Sequence, residues 1–539
     1  MSEVRRVRRK RKKLRFGKVA NRNLKITSWV IIGFLFILCI RIIYINVAYG
    51  DEYSIAVLKQ QSFTNNIVPY KRGDIKDRNG NILATSTVVY NMVVDAKMLS
   101  KEENQEYLQP TIDAVVKYFG LNTDDLKTSI KEHGTTSYWI AQKDISYDKV
   151  KEFKSYCNGD YAKTDLEKKQ AAAVKFIYFE REYKRVYPYD TLACSVLGFA
   201  NKNNEANIGI ESSYNSYLKG TEGREYGYMD ADNNIETVIK EAKNGDNVVS
   251  SIDMNIQRIV QKSIKKYMNK YNPQRIAVVI ADPNTGEILA MSDDKTFDLN
   301  DPTNLDAYFT KARQKKMSDE KQSAFLNGIW NNFCITDSFE PGSTAKPFTV
   351  AAAYEEGVVD EKSTFYCDGF EKVDKFTIKC HKVDGHGTIN VKQAVAQSCN
   401  DYMMHIGKLL GAKKFIQYQS RFGFGMKTGI DLPNETRGLV YDESRGMGAA
   451  TLATNSFGQN FTVNMIQMVA GFSSLINGGY YYEPHVVKQI VTEDDRLVKN
   501  YSKTLVKQTV TKSTSDYIKQ CLSCLLYTSD AADDRISVD

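Results

Sequence analysis

Twelve lysines and arginines in the first 25 residues, against the single acid Glu3, run into an almost unbroken apolar stretch from Ile26 to Tyr49. About 20 apolar residues suffice to cross a bilayer, so residues 26–49 are predicted to form one transmembrane helix. Arg41 falls towards the distal end, where a long side chain can reach the interface. Flanking positive charge keeps residues 1–25 in the cytoplasm and places everything after about Asp51 outside the cell. The stretch is long and no small-residue cleavage site follows it, which favours an uncleaved anchor over a signal peptide. The net charge of +8 belongs to the tail: the other 514 residues hold 61 basic and 64 acidic side chains. No nucleic-acid partner is expected from that balance.

With 539 residues, 42% of them hydrophobic, the chain has matter for two or three folded domains. Between residues 50 and 245 the pattern is mixed. Asn79-Gly80 sits between two short strand-like runs and predicts a hairpin, and helical patterns cover Glu102 to Phe119 and Thr123 to His133. A Gly-rich stretch then leads to Gly245-Asp246, where a second module (246–523) opens with an amphipathic helix, Asn255 to Tyr271. Arg275 to Ala281 and Glu287 to Ser292 flank the turn Asp282-Pro283-Asn284-Thr285-Gly286, a second hairpin. Helical patterns at Val391 to Gln397, Tyr402 to Leu410 and Met465 to Ile476 complete an α+β reading, with helices packed on an antiparallel sheet.

Glu340-Pro341-Gly342-Ser343-Thr344-Ala345-Lys346-Pro347-Phe348 carries the chemistry. A serine and a lysine three apart share one helical face. At a helix N-terminus the backbone N–H groups favour developing negative charge, and an amine one turn below can take the hydroxyl proton, so Ser343 is a candidate nucleophile for acyl-enzyme chemistry. Ser146/Lys149, Ser216/Lys219, Ser263/Lys266, Ser292/Lys295 and Ser318/Lys321 repeat the spacing. Only Ser343 combines a Pro-Gly turn before it with an apolar helical run after it.

Nine cysteines in an exported chain of this size do not make a disulfide framework, and Cys39 lies in the apolar span. Cys367, Cys380, His381 and His386 are the only group that suggests a metal, but their spacing matches no standard zinc pattern, and the histidines read as solvated loop residues.

Together these landmarks resemble the class B penicillin-binding proteins, membrane-anchored D,D-transpeptidases that cross-link peptidoglycan. Arg72 to Ala84 (RGDIKDRNGNILA) is similar to their pedestal signature, Gly209-Ile210-Glu211 to their G-I-E element, and Asp282 to Met291 to the first hairpin of their penicillin-binding transpeptidase domain. Ser398-Cys399-Asn400 stands where the family has S-x-N. The resemblance implies that Ser343 attacks the D-Ala-D-Ala carbonyl of a stem peptide and is blocked covalently by β-lactams. Lys346 is then the base, Ser398 relays a proton to the leaving amine, and Asn400 bonds the donor peptide amide. It further implies an elongated pedestal domain, a polytopic membrane glycosyltransferase as partner, and no metal or organic cofactor. A non-catalytic penicillin-recognising scaffold or sensor is the alternative, disfavoured by the single span and the pedestal signature.

The family's third motif, K-T/S-G on an edge strand, lies well over a hundred residues beyond S-x-N. Lys427-Thr428-Gly429 spells it only 27 residues after Asn400, ahead of the turn-like Ile430-Asp431-Leu432-Pro433, and reads as a decoy in a loop. Residues 524–539 include a run, Cys524 to Asp534, that resembles a translated sequencing adaptor; the alternative is a natural acidic tail. The transpeptidase domain is therefore expected to be incomplete at its C-terminus, and the chain as written inactive. Cys380 and Cys399 are expected to approach each other, and a bridge between them would pull the S-x-N loop out of line until a thioredoxin-like reductant opened it. Otherwise Cys399 packs as a small apolar residue, and Cys380 pairs with Cys367 or with nothing.

Overall fold

A computed structural model describes residues 26–27, 29–30, 32–41, 43–44, 64–201, 205–229, 235–444, 446–501 and 503–528. Residues 26–27, 29–30, 32–41 and 43–44 are helical and exposed, Trp29 and Phe36 among them. Among the described residues no helix is long and apolar enough to cross a membrane. Residues 1–25, 45–63 and 529–539, with the basic tail and most of the adaptor-like segment, lie outside the described residues.

The chain divides into two compact units, residues 1–68 with 223–241 and residues 69–222 with 242–539. The first contains an antiparallel sheet in which Gly223–Met229 lies between Thr64–Val68 and Ile235–Lys240.

The second unit is built on a seven-stranded sheet. From its edge the strands run Leu497–Asn500, Val487–Val491, Asn247–Ser250, Ile75–Lys76 and Ile82–Val94, the last of which pairs with both Trp139–Ser146 and Ile177–Val186. The expected hairpin is present: Ile75–Lys76 pairs antiparallel with Ile82–Val94 through a turn at Asp77–Gly80. Asp77 holds that turn by accepting from Asn79 N and Asn81 N at 2.8 Å each. Asn247–Ser250 pairs parallel with Ile75–Lys76 and antiparallel with Val487–Val491, so residues far apart in sequence share one ladder. The expected helices appear as Gln105–Phe119, Thr123–Glu132, Met254–Tyr271, Val391–Ala396, Asn400–Leu410 and Met465–Ile476. The second hairpin, Ala277–Ala281 with Ile288–Asp293, and the pair Tyr480–Tyr482 with Leu505–Gln508 are separate two-stranded sheets among the described residues. The sheet expected for that module is thus present in pieces.

The helix Lys346–Glu355 is buried on almost every face from Lys346 to Ala353, which marks it as a core element rather than an amphipathic one. Pro347 is tolerated because an amide in the first turn has no helical partner in any case. Phe348 meets Phe422, Phe424 and Phe472 edge-on at 5.0, 4.9 and 5.6 Å between ring centroids. Helix Lys512–Thr528 covers the far end, stacking Tyr517 on Tyr354 at 4.3 Å.

Glu211, fully buried, ties the Arg72 loop to the G-I-E element. It accepts from Arg72 Nε and Arg185 Nε at 2.7 Å each and from the Tyr187 hydroxyl at 3.0 Å. Burial alone would raise its carboxyl, but the two guanidiniums outweigh that and hold it below the ordinary range. Glu211→Ala strands two buried cations, a loss of about 3–5 kcal/mol. A large drop in thermal midpoint is expected, whereas Asp495→Ala, which removes the exposed partner of Lys76, leaves the midpoint nearly unchanged. Equal midpoints for the two variants would contradict this reading of the network.

Candidate active site

Pro341 leads into a 3₁₀ turn, Gly342–Ala345, which continues directly into the helix Lys346–Glu355. The turn lies hard against a second segment: Gly342 N donates to Gly458 O at 2.8 Å, and a Cβ on Gly458 would come within 1.8 Å of Gly342 O. Only glycine fits that approach, and its φ of +92° suits glycine as well. The result leaves Ser343 exposed while Lys346, one turn on, is 2% exposed.

Ser398 joins the helices Val391–Ala396 and Asn400–Leu410. Its φ of +54° is a left-handed conformation that costs a non-glycine residue on the order of 1–3 kcal/mol, so the surroundings must impose it. Two backbone bonds do so from the preceding helix, Ser398 N to Val395 O at 3.1 Å and Cys399 N to Ala394 O at 2.9 Å. From the following helix, Cys399 acts as N-cap, its sulfur accepting from Tyr402 N at 3.4 Å.

Lys346 Nζ donates to Ser398 O at 2.6 Å and to Ser398 Oγ at 2.7 Å, and Ser398 Oγ donates to Ser343 Oγ at 3.2 Å. Three of the four side chains singled out in the sequence therefore form one hydrogen-bonded chain. Among the described contacts Lys346 has no bond to Ser343 itself; the path between them runs through Ser398. Burial pushes the Lys346 amine down from 10.5 to about 8, and nearby Cys380 and Cys399 oppose the shift without cancelling it. An amine so placed can be neutral at mildly alkaline pH and accept a proton from a hydroxyl. Asn400, half-buried, opens the next helix two residues beyond Ser398. Such an arrangement can deprotonate Ser343 and return the proton to a leaving group.

Lys427-Thr428-Gly429 has no strand conformation. Thr428 N and Oγ1 both donate to Glu435 Oε1, at 2.7 and 2.8 Å, and Gly429 N to Glu435 Oε2 at 3.3 Å, while Lys427 is exposed. The triplet is a loop organised around a buried glutamate.

The cysteines give a different picture from the sequence. Cys380 Sγ and Cys399 Sγ lie 3.9 Å apart as free thiols. His386, read from sequence as a solvated loop residue, is instead half-buried, with Nδ1 3.4 Å from Cys367 Sγ and 3.7 Å from Cys380 Sγ. His381 is exposed, as expected, with Nδ1 3.9 Å from Cys380 Sγ. The signal in the sequence was three cysteines and two histidines within residues 367–399; hairpin pairing, which linear spacing does not report, brings them together.

Residues 276–524 match the penicillin binding protein transpeptidase domain family, and residues 67–250 match the penicillin-binding protein dimerisation domain family. Stage V sporulation protein D of Bacillus subtilis is 30% identical over 524 residues, covering 94% of this chain and 73% of that protein. Peptidoglycan D,D-transpeptidase MrdA of Acinetobacter baumannii is 26% identical, covering 84% and 67%. The crystal structure of penicillin binding protein 2X from Streptococcus thermophilus superimposes with a TM-score of 0.68 at 24% identity, over 86% of this chain and 66% of that one, a likeness of fold.

Lys427→Ala should change stability by no more than about 0.5 kcal/mol, as for other exposed side chains. Glu435→Ala leaves the Thr428 N–H and hydroxyl without their acceptor and should cost about 1–3 kcal/mol. Urea denaturation midpoints compare the two. A Lys427 effect as large as that of Glu435 would show that the triplet is more than a loop.

Proposed function

Because the chain belongs to the penicillin-binding transpeptidases, with the dimerisation domain ahead of the catalytic one, we infer that Ser343, Lys346, Ser398 and Asn400 perform its acyl transfer. The observation that carries this is the hydrogen-bonded run from Lys346 through Ser398 to Ser343. With Lys346 neutral, the run operates in reverse: Ser343 gives its proton to Ser398 Oγ as Ser398 gives its own to Lys346 Nζ. Ser343 Oγ attacks the carbonyl between the two terminal D-alanines of a stem peptide. The C–N bond breaks, and the departing D-Ala amine takes the proton that Lys346 returns through Ser398. Asn400, beside the entry to the run, is suited to bond the donor peptide amide. An amine of a second stem then attacks the ester, forming the cross-link and freeing Ser343.

A β-lactam presents its ring carbonyl to the same oxygen. The ring C–N bond opens, but the amine stays tethered, so the ester persists and the enzyme is blocked. The lysine is well matched to the task, since a base of pKa near ambient pH is both available and strong enough.

The apolar stretch at 26–49, behind twelve cations, supports a single-pass anchor with a cytoplasmic N-terminus and an extracellular catalytic domain. A polytopic glycosyltransferase that polymerises the glycan strands is the partner such an anchor would meet in the membrane. No cofactor takes part in the acyl transfer itself.

Two measurements with a fluorescent penicillin test the reading, both made on a version of the chain fused after Ser523 to a family K-T-G segment, because the chain as written is expected to be inactive. Ser343→Ala should abolish covalent labelling while the far-ultraviolet circular dichroism is unchanged; persistent labelling would refute the assignment. The acylation rate of the fused version with Ser343 intact should rise with pH and level off above about 8, because protonated Lys346 cannot accept the proton. A flat profile from about pH 6 to about pH 10 would remove Lys346 as the base.

A further inference from the structure

We propose that Cys367, Cys380, Cys399 and His386 form a zinc site that fixes the Ser398–Asn400 loop from behind. Their ligand atoms all lie within 4.8 Å of one another. Zinc takes sulfur at ~2.3 Å and imidazole nitrogen at ~2.0–2.1 Å in a tetrahedron, which separates neighbouring ligand atoms by roughly 3.5–3.8 Å. Of the six separations, three are 3.4 Å for Cys367 Sγ to His386 Nδ1, 3.7 Å for Cys380 Sγ to His386 Nδ1 and 3.9 Å for Cys380 Sγ to Cys399 Sγ, and the others stay within 4.8 Å.

The backbone is arranged for this convergence. Cys367 ends the strand Thr364–Cys367, directly across the ladder from Gly387, so His386 arrives beside it. Cys380 follows the strand Phe376–Lys379, and its amide is pinned to Gly369 O at 2.8 Å. The loop back to His386 closes at Gly385, where φ is +77° and a Cβ would stand 2.2 Å from Cys367 O. Cys399 enters from the other side as the cap of the helix Asn400–Leu410.

Backbone N–H groups of Asp401, Lys382 and Asn400 also approach the Cys380 sulfur. Asp401, 1% exposed, lies beside Cys367 and the Asp368 amide. Three sulfurs and one imidazole select zinc over magnesium or calcium, which require oxygen. Binding to three neutral thiols releases three protons and leaves a site of net charge −1. A Cys380–Cys399 disulfide would use two of the four ligands and leave only Cys367 and His386, so the bridged and metal-loaded states exclude each other.

The consequence for the active site is mechanical. Cys399 stands between Ser398 and Asn400; anchoring its sulfur holds Ser398 in its left-handed conformation, aligned between Lys346 and Ser343. Cys399 is a positioning residue, and the metal takes no part in acyl transfer. This effect on acylation rests on the transpeptidase reading above, whereas metal binding does not.

Full-length protein purified in detergent under reducing conditions should carry one zinc per chain, and cobalt substitution should give the visible bands of a tetrahedral thiolate site. Cys367→Ser and His386→Ala should weaken metal binding by at least about tenfold and, in the version carrying a family K-T-G segment, slow acylation by fluorescent penicillin. His381→Ala should do neither, and Ser343→Ala should lose acylation with its zinc intact. Diamide, which takes two electrons and two protons from Cys380 and Cys399 as it becomes the hydrazide, should release the metal. Wild-type protein with no zinc above background and no cobalt–thiolate bands would overturn the site, whether or not the variants fold. Acylation unchanged on removing bound zinc would overturn its positioning role.

Discussion

The active site depends on a buried ammonium held under a strained serine. Lys346 is taken almost wholly out of water by the core helix it begins, and the bonds it makes in exchange go to Ser398, at both the carbonyl and the hydroxyl. Two hydrogen bonds from one ammonium to one residue help keep Ser398 in a backbone conformation that serine otherwise avoids. That conformation in turn presents the Ser398 hydroxyl to Ser343. Desolvation, strain and proton path are three aspects of one arrangement: relaxing Ser398 would strand the lysine, and hydrating the lysine would raise its affinity for the proton it must lose and regain.

The same economy governs how far the rest of the second unit can move. The helix carrying Lys346 is enclosed by the aromatic cluster on Phe348, by the helix Asn400–Leu410 and by Tyr517. The long strand Ile82–Val94 and the Arg72–Glu211–Arg185 network join the sheet through Asn247–Ser250 to Val487–Val491. A dense core on one side and a continuous ladder on the other give the site a rigid foundation, which is what a preorganised nucleophile requires.

Much of this was legible in the chain because it is local. A Pro-Gly turn before an apolar run fixes where the nucleophile's helix begins, and three residues of spacing fix Lys346 relative to Ser343. Both hairpins follow from turn residues, Asn79-Gly80 and Asn284-Thr285-Gly286. Ser398 and Asn400 were legible only through likeness to a family, since nothing local says that residue 398 returns to residue 343. The indirect link from Lys346 to Ser343 could not be read at all, because it depends on the φ of Ser398. His386 was misread for a related reason. Its neighbours come from strand register, with Cys367 opposite Gly387, and from a helix cap 13 residues away, neither of which leaves a spacing pattern. The placement of Asn247–Ser250 between strands from distant parts of the chain is equally invisible to periodicity.

The central claim, that Lys346 acts on Ser343 through Ser398, makes the two side chains one functional unit, and a double-mutant cycle on the acylation rate measures that directly. Lys346→Ala, Ser398→Ala and the double variant are compared by the second-order rate constant for penicillin acylation of Ser343. Groups that act as a unit are strongly non-additive. The account predicts a double variant no slower than the slower single variant. Losses that multiply, as for independent contributions, would contradict it.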